Sequence, residues 1–299
     1  MEKWDSVYLV FLIESLILIA LNILAAYVIA TSARLRSLFN NILLLLLFVA
    51  HTVTGVFNLL RCFFVLGWFT GETASNAITI LRDAFTAVAV HFTVLLSMER
   101  FFAIRKPFVY ARLTRKHAWL SIGVALMLSI VFVVNRIFLT NLAFLVATMF
   151  VFAGAIMITI SNWLLYRSIK KQCCEIAATI VVASNEKKLM RRKLVKDREM
   201  KSLKICLMIA ASYLLTWLVL MSGYTIIERV ASEKQYTEHL SFIFAIIGFS
   251  NGIWDVLIFF HLNSTAWRKV RQILRFPPIS SSVSGEISQT EYCTDASIM

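Results

Sequence analysis

The sequence predicts an all-α fold: a bundle of seven transmembrane helices with a short amphipathic membrane-surface helix after the seventh span. Three observations carry this expectation. Hydrophobic residues make up 59% of the 299 and charged ones only 16%, a balance that would leave a soluble domain with apolar surface facing water. Only three prolines and nine glycines interrupt a chain of mean hydropathy +0.77, which fits long helices. The apolar residues also gather into seven runs, each long enough for a helix to cross a hydrocarbon core, which takes about 20 residues. The short alternating segments of a membrane barrel are not seen.

In chain order the runs fall at 7–30, 41–64, 77–98, 118–135, 138–165, 203–226 and 240–261. Only Arg136 and Ile137 separate the fourth from the fifth. Asn135-Arg136 interrupts a stretch far too long for one span, which is why seven are counted and not six. After the seventh run, Trp267, Val270, Ile273 and Leu274 recur at helical spacing with basic residues between them. That pattern suits a helix lying on the inner membrane surface, and Pro277-Pro278 would stop it. From Ile279 onward the chain is polar and Ser-rich, which predicts disorder. The expected organisation is an external terminus over 1–6, a transmembrane domain over 7–262, a surface helix over 263–276 and a cytoplasmic tail over 277–299. The Lys- and Arg-dense stretch 186–204 should extend the fifth and sixth helices into the cytosol.

Basic residues set the expected orientation. The segments 31–40, 99–117, 166–204 and the tail from 262 hold 24 of the 30 Lys and Arg. The opposite side has Lys3, Arg136, Arg229 and Lys234, while Arg61 and Arg82 lie within spans. The positive-inside rule then puts the amino terminus outside and the tail in the cytosol. The net charge of +13 reads as topology and as attraction to anionic headgroups. Nucleic-acid binding is not expected, because the charge is divided among loops and no nucleic-acid motif appears. The first span lacks a basic start and a cleavage site, so it should act as its own insertion signal. The single Asn-x-Ser/Thr sequon, Asn263-Ser264-Thr265, falls on the cytosolic side and should stay unmodified. No helix pattern repeats between the halves, which counts against an inverted-repeat transporter.

The segment Ser97-Met98-Glu99-Arg100-Phe101, continuing to Lys106-Pro107, puts an acid–Arg pair where the third span leaves the lipid. Such a pair is costly and usually kept for a function. The segment resembles the end of the third helix in rhodopsin-like G-protein-coupled receptors, which carry Asp-Arg-Tyr there; Glu99 replaces the Asp and Phe101 the Tyr. The resemblance extends along all seven spans. Leu21-Asn22 resembles the Gly-Asn pair of the first helix. The stretch Leu47 to His51 resembles Leu-Ala-x-x-Asp, with His51 for the Asp. Leu215-Thr216-Trp217 to Val219 resembles Cys-Trp-x-Pro without its Pro. Asn251 to Phe259 resembles the Asn-Pro-x-x-Tyr region, with Asp255, Val256 and Phe259 at the key places. Tyr166 falls where a fifth-helix tyrosine is expected. Each match is weak alone; their order is what carries the resemblance.

What the resemblance implies is a receptor that transmits binding of an extracellular ligand to cytoplasmic heterotrimeric G proteins, in the plasma membrane, and not an enzyme. Arrestin and a receptor kinase would be partners at the tail, where Ser280, Ser281, Ser282, Ser284 and Thr290 are candidate phosphorylation sites. Glu99, Arg100, Glu199, Tyr166 and Phe259 would form the coupling end. Arg100 at the end of span three and Glu199 at the start of span six would latch the two if adjacent, and opening would expose a crevice for the G protein. The bland alternative is two interfacial charges. Asn22, His51, Asn251 and Asp255 would form a polar core. The acid appears moved from span two to span seven, so a direct His51–Asp255 hydrogen bond is expected and sodium control is put in doubt.

Arg61, Arg82, Asp83 and Trp217 are the candidate ligand residues. Arg82 stands where amine receptors carry an Asp, which argues against a simple amine and for an acidic or zwitterionic ligand. Its competing role is pairing with Asp83 or Glu14. No Lys occurs over 240–261, so a retinal Schiff base is not expected; no cofactor and no metal are expected either. The usual disulfide is also unexpected: Ser75 sits where the third-helix Cys would be, and the second external loop is almost absent. Those two absences resemble the branch of melanocortin, cannabinoid, lysophospholipid and adenosine receptors. Cys173-Cys174 beside Lys170-Lys171 are candidate palmitoylation sites or ordinary reduced cysteines. The hinge prolines are missing, so the helices should be straighter. Two other classes stay open: a seven-helix transporter or channel using Arg61, Arg82, Asp83, His51 and Asp255, and a receptor-shaped protein that no longer signals.

Overall fold

The computed structural model describes residues 5–36, 39–105, 108, 110, 115–138, 153–154, 156–161, 163–164, 167, 204–205, 207–217, 219–220, 223 and 234–274. Helical residues lie in all seven expected spans. The first four form the helices Asp5–Thr31, Phe39–Val65, Glu72–Arg105 and Arg115–Phe138. In the fifth and sixth, 156–161 and 207–217 are helical, and the seventh comprises Lys234–Phe249 and Asn251–Leu262. Among the described residues, four helices are long and apolar enough to cross a membrane, and Trp119–Asn135 and Leu207–Trp217 are shorter apolar helices.

The helices are apolar on every side, as expected where the solvent is lipid. On the first span, Phe11, Leu18 and Ala25 are buried, whereas Leu9, Ile13, Leu16 and Ile23 face outward. The fourth behaves alike, with Ile122 and Ala125 inside and Met127, Leu128 and Val131 outside. Successive spans pack as neighbours, first on second, second on third and third on fourth. The first also packs on both halves of the seventh, which closes the bundle.

Three boundaries differ from the expectations. The third helix runs from Glu72 to Arg105, so Glu99 and Arg100 lie inside it and not at its end. The fourth reaches Phe138, so Asn135-Arg136 does not break the helix and Phe138 does not open the fifth span. Asn and Arg are tolerated in a helix, and hydropathy alone mistook a polar dipeptide for an end. The short helix Ala33–Arg36 also lay unrecognised between spans one and two.

Ser250 joins the two stretches of the seventh span with its own backbone in the right-handed helical region, and Ser250 N–H to Ile246 O and Trp254 N–H to Ser250 O carry the helical bonding across it. Its hydroxyl donates to the Ile247 carbonyl at 2.7 Å. Between spans two and three the chain turns through Gly67 and Gly71, with φ of 75° and 124°, which only glycine adopts at no steric cost.

Past the seventh span, Asn263 leaves the helical conformation and its side chain accepts from Ala266 N–H at 3.1 Å, capping Ser264–Ile273. The one sequon in the chain is thus a helix cap. The helix buries Ala266 and Val270 against the bundle and leaves Trp267, Ile273 and Leu274 exposed, with the Arg271 guanidinium over the Trp267 ring. Val270 therefore faces protein, whereas the other three expected apolar residues form the free face. Residues beyond Leu274, including Pro277-Pro278 and the tail serines, lie outside the described residues, as do Cys173 and Cys174.

Candidate functional site

The polar groups at the middle of the bundle converge on Asp255. The seventh-span helix presents Asp255 inward, fully buried, one turn from Asn251. His51 Nε2 of the second span lies 3.2 Å from Asp255 Oδ2, so the expected bond is present. Asn251 Nδ2 donates to the same oxygen at 3.3 Å. From the sixth span, Ser212 Oγ lies 3.1 Å from Asp255 Oδ1, 3.0 Å from Asn251 Oδ1 and 2.8 Å from the Ile209 carbonyl. The first span joins through Asn22, whose amide donates to Leu18 O at 2.8 Å and to Gly252 O at 3.2 Å. Four spans are tied at one depth, and every donor helps satisfy a carboxylate or carbonyl that lipid cannot.

Gly252 permits this approach. A Cβ there would stand 2.7 Å from Leu18 and 2.9 Å from the His51 ring. Below the cluster, Phe259 is fully buried and packs against Phe48 of the second span, ring centroids 5.5 Å apart. Phe259 therefore serves as apolar packing among the described residues.

Outward of the cluster is a small cavity. Its lining includes His51, Thr54, Tyr213, Trp217, Phe249 and Asn251. Trp217 and Tyr213 stand side by side on the sixth span with centroids 5.8 Å apart, so Trp217 is where a pocket-lining residue was expected. Arg82 and Asp83 do not line it; they stand one turn before Thr86, the third-span residue that does. The Arg82 guanidinium donates twice to Asp83 Oδ1, at 3.0 and 2.7 Å, and lies 5.6 Å from the centre of the Phe249 ring. The pairing with Asp83 weighed for Arg82 is present. Arg61 is not brought to the cavity; its guanidinium lies 5.3 Å from the Phe242 ring centre, further out.

Toward the carboxyl end of the third helix, the Tyr110 hydroxyl donates to the Glu99 carboxylate. Glu199 and Tyr166 lie outside the described residues, as does the Arg100 side chain, so the latch falls there too. Sequence reasoning missed Ser212 and Tyr110. A serine in an apolar run and a loop tyrosine give no signal of partners 43 and 11 residues away. It also missed His91 of span three, buried with Nδ1 2.9 Å from Ser129 Oγ of span four. A histidine in the run 77–98 was the available signal.

No protein-family model matches the chain, and no curated protein matches it in sequence. Its fold is another matter. The chain is similar to the crystal structure of squid rhodopsin, with a TM-score of 0.79 at 16% identity, over 91% of this chain and 85% of that one. The class the fold defines is thus the rhodopsin-type seven-helix membrane bundle. In this chain a buried His51–Asp255 pair joins spans two and seven.

Proposed function

We propose that the chain is a rhodopsin-like receptor of the plasma membrane that passes binding of an extracellular ligand to cytoplasmic heterotrimeric G proteins. The observation that carries this reading is the rhodopsin-type bundle, in which a small cavity lined by Trp217, His51 and Asn251 adjoins a polar cluster that ties spans one, two, six and seven. A ligand at that place would act on Trp217 and the Asp255 cluster, so its binding energy would bias how the sixth span sits against the seventh. The same arrangement on a rhodopsin-type bundle, with Glu99 and Arg100 on the third helix, supplies a cytoplasmic end at which a G protein would read that bias. The amino terminus would face outward and the basic segments the cytosol. Arrestin and a receptor kinase would act at the tail.

The ligand would be small and carry an acidic or zwitterionic group able to compete with Asp83 for Arg82. The test is nucleotide exchange on each heterotrimeric G-protein class in membranes holding the chain, under a panel of small acids and zwitterions. Ligand-evoked exchange should be lost in Arg100→Ala and shifted to higher ligand concentration in Arg82→Ala. Ion currents or uptake without any exchange would overturn the receptor reading in favour of a channel or transporter. An absence of basal and evoked exchange across all classes would mean a receptor-shaped protein that does not signal.

A further inference from the structure

Two buried polar side chains in the outer half of the bundle take no part in the Asp255 cluster. Glu14 of the first span is only 9% exposed, and neither carboxylate oxygen has a hydrogen-bond partner among the described residues. Asn58 of the second span is 1% exposed, and its amide oxygen and nitrogen are likewise without partner. Register puts the two at one depth. The spans run antiparallel, with Gly55 set against Leu18 and Ile19 so closely that a Cβ there would stand 2.8 Å from Ile19. Further out, Phe11 and Cys62 share one apolar cluster. Glu14 stands one turn outward from Leu18, and Asn58 one turn outward from Gly55. Both therefore stand at the depth between those two contacts, on helix faces buried inside the bundle. Thr54, 2% exposed with its hydroxyl unpartnered, is one turn inward on the same face as Asn58.

A carboxylate so placed needs a counter-charge, because desolvating an uncompensated ion costs several kcal/mol. Among the described residues, no cation hydrogen-bonds either Glu14 oxygen. Arg82 is engaged by Asp83, His51 by Asp255, and the Arg61 guanidinium is set over Phe242. We infer that Glu14 and Asn58 form a binding site for a small monovalent cation, reached from the outer side of the bundle. The donors are all oxygen, two from the Glu14 carboxylate and one from the Asn58 amide, with the Thr54 hydroxyl as a fourth; such hard ligands suit hard cations. One carboxylate balances one positive charge, which favours a monovalent ion over a divalent one. Water would complete the shell on the more exposed Glu14 side. The site lies outward of Asp255, uses none of the cluster's residues and stands whether or not the chain couples to a G protein.

The experiment is thermal unfolding of the full-length protein in lipid nanodiscs as sodium chloride replaces choline chloride at constant ionic strength. Sodium should raise the wild-type melting temperature to a plateau, by about 5 °C. Glu14→Gln and Asn58→Leu should each lose most of that rise, while Asp255→Asn keeps it. An equal rise in Glu14→Gln, no rise in the wild type, or a rise lost only in Asp255→Asn would overturn the site. Should Glu14→Gln fail to fold, the sodium-minus-choline infrared difference spectrum of Asp255→Asn decides. A shift of a carboxylate stretch supports cation binding, whereas a protonated-carboxyl band indifferent to sodium refutes it, the acid then holding a proton instead.

Discussion

His51 on the second span and Asp255 on the seventh meet at 3.2 Å in the middle of the bundle, with the carboxylate fully buried. The pair carries a stability prediction. Removing His51 takes from the buried acid its imidazole partner and leaves only Asn251 and Ser212 to hold it among the described residues, at a cost of up to about 3–5 kcal/mol when a buried charge loses its mate. His51→Ala should therefore lower the melting temperature sharply. The double variant His51→Leu, Asp255→Leu should recover much of the loss. A double-mutant cycle by thermal unfolding checks this; simple additivity would show that the two side chains are not coupled.

Ser212 is the lesser member of the cluster. Its hydroxyl has one proton to give among three nearby acceptors. Ser212→Ala should cost about 1 kcal/mol, the net worth of one buried hydrogen bond. The same melts, compared with Ser121→Ala, whose hydroxyl bonds only the His117 carbonyl of its own helix, separate the two cases.

Gly252 and Gly123 give a steric contrast. A methyl at Gly252 would press on Leu18 and the His51 ring, whereas a Cβ at Gly123 meets nothing within 4 Å. Gly252→Ala should destabilise by about 1–3 kcal/mol through overpacking. Gly123→Ala should be neutral or stabilising by up to about 1 kcal/mol through helix propensity. If both changes behave alike in unfolding, close packing of spans one, two and seven is not what Gly252 serves.

The Tyr110–Glu99 bond fastens the segment after the third span to the acid next to Arg100. On the receptor reading, Tyr110→Phe loosens that fastening, and basal nucleotide exchange on G protein should rise. Membranes expressing equal amounts of the two proteins give the comparison, and equal basal exchange would show that Tyr110 plays no part in holding the quiet state.

Arg82 and Asp83 show why a mutation at a suspected ligand residue needs its partner's control. Arg82→Ala alone strands a half-buried carboxylate, while Arg82→Leu with Asp83→Leu removes both charges. The single change should lower the melting temperature more than the double. Reduced ligand response in the single variant is then a specific effect only where surface expression is unchanged.

Hydropathy and the placing of Lys and Arg made the seven spans and the trailing surface helix legible in the sequence, because the free energy of moving a residue into lipid is largely its own and needs no partner. The resemblance to rhodopsin-like receptors added the expectation that His51 would meet Asp255. Where helices end was less legible: Asn135 and Arg136 continue a helix, and the third helix runs past Glu99 and Arg100 to Arg105. Which faces meet was decided by the tertiary structure alone. In lipid an outward apolar side is as acceptable as an inward one, so Leu16 and Leu18 look equivalent in sequence though one is exposed and one buried. The rotation of each helix about its axis is fixed instead by close contacts such as Gly55 on Leu18 and by polar groups seeking partners. Ser212, Tyr110 and the Glu14–Asn58 pair became visible only once those rotations were set.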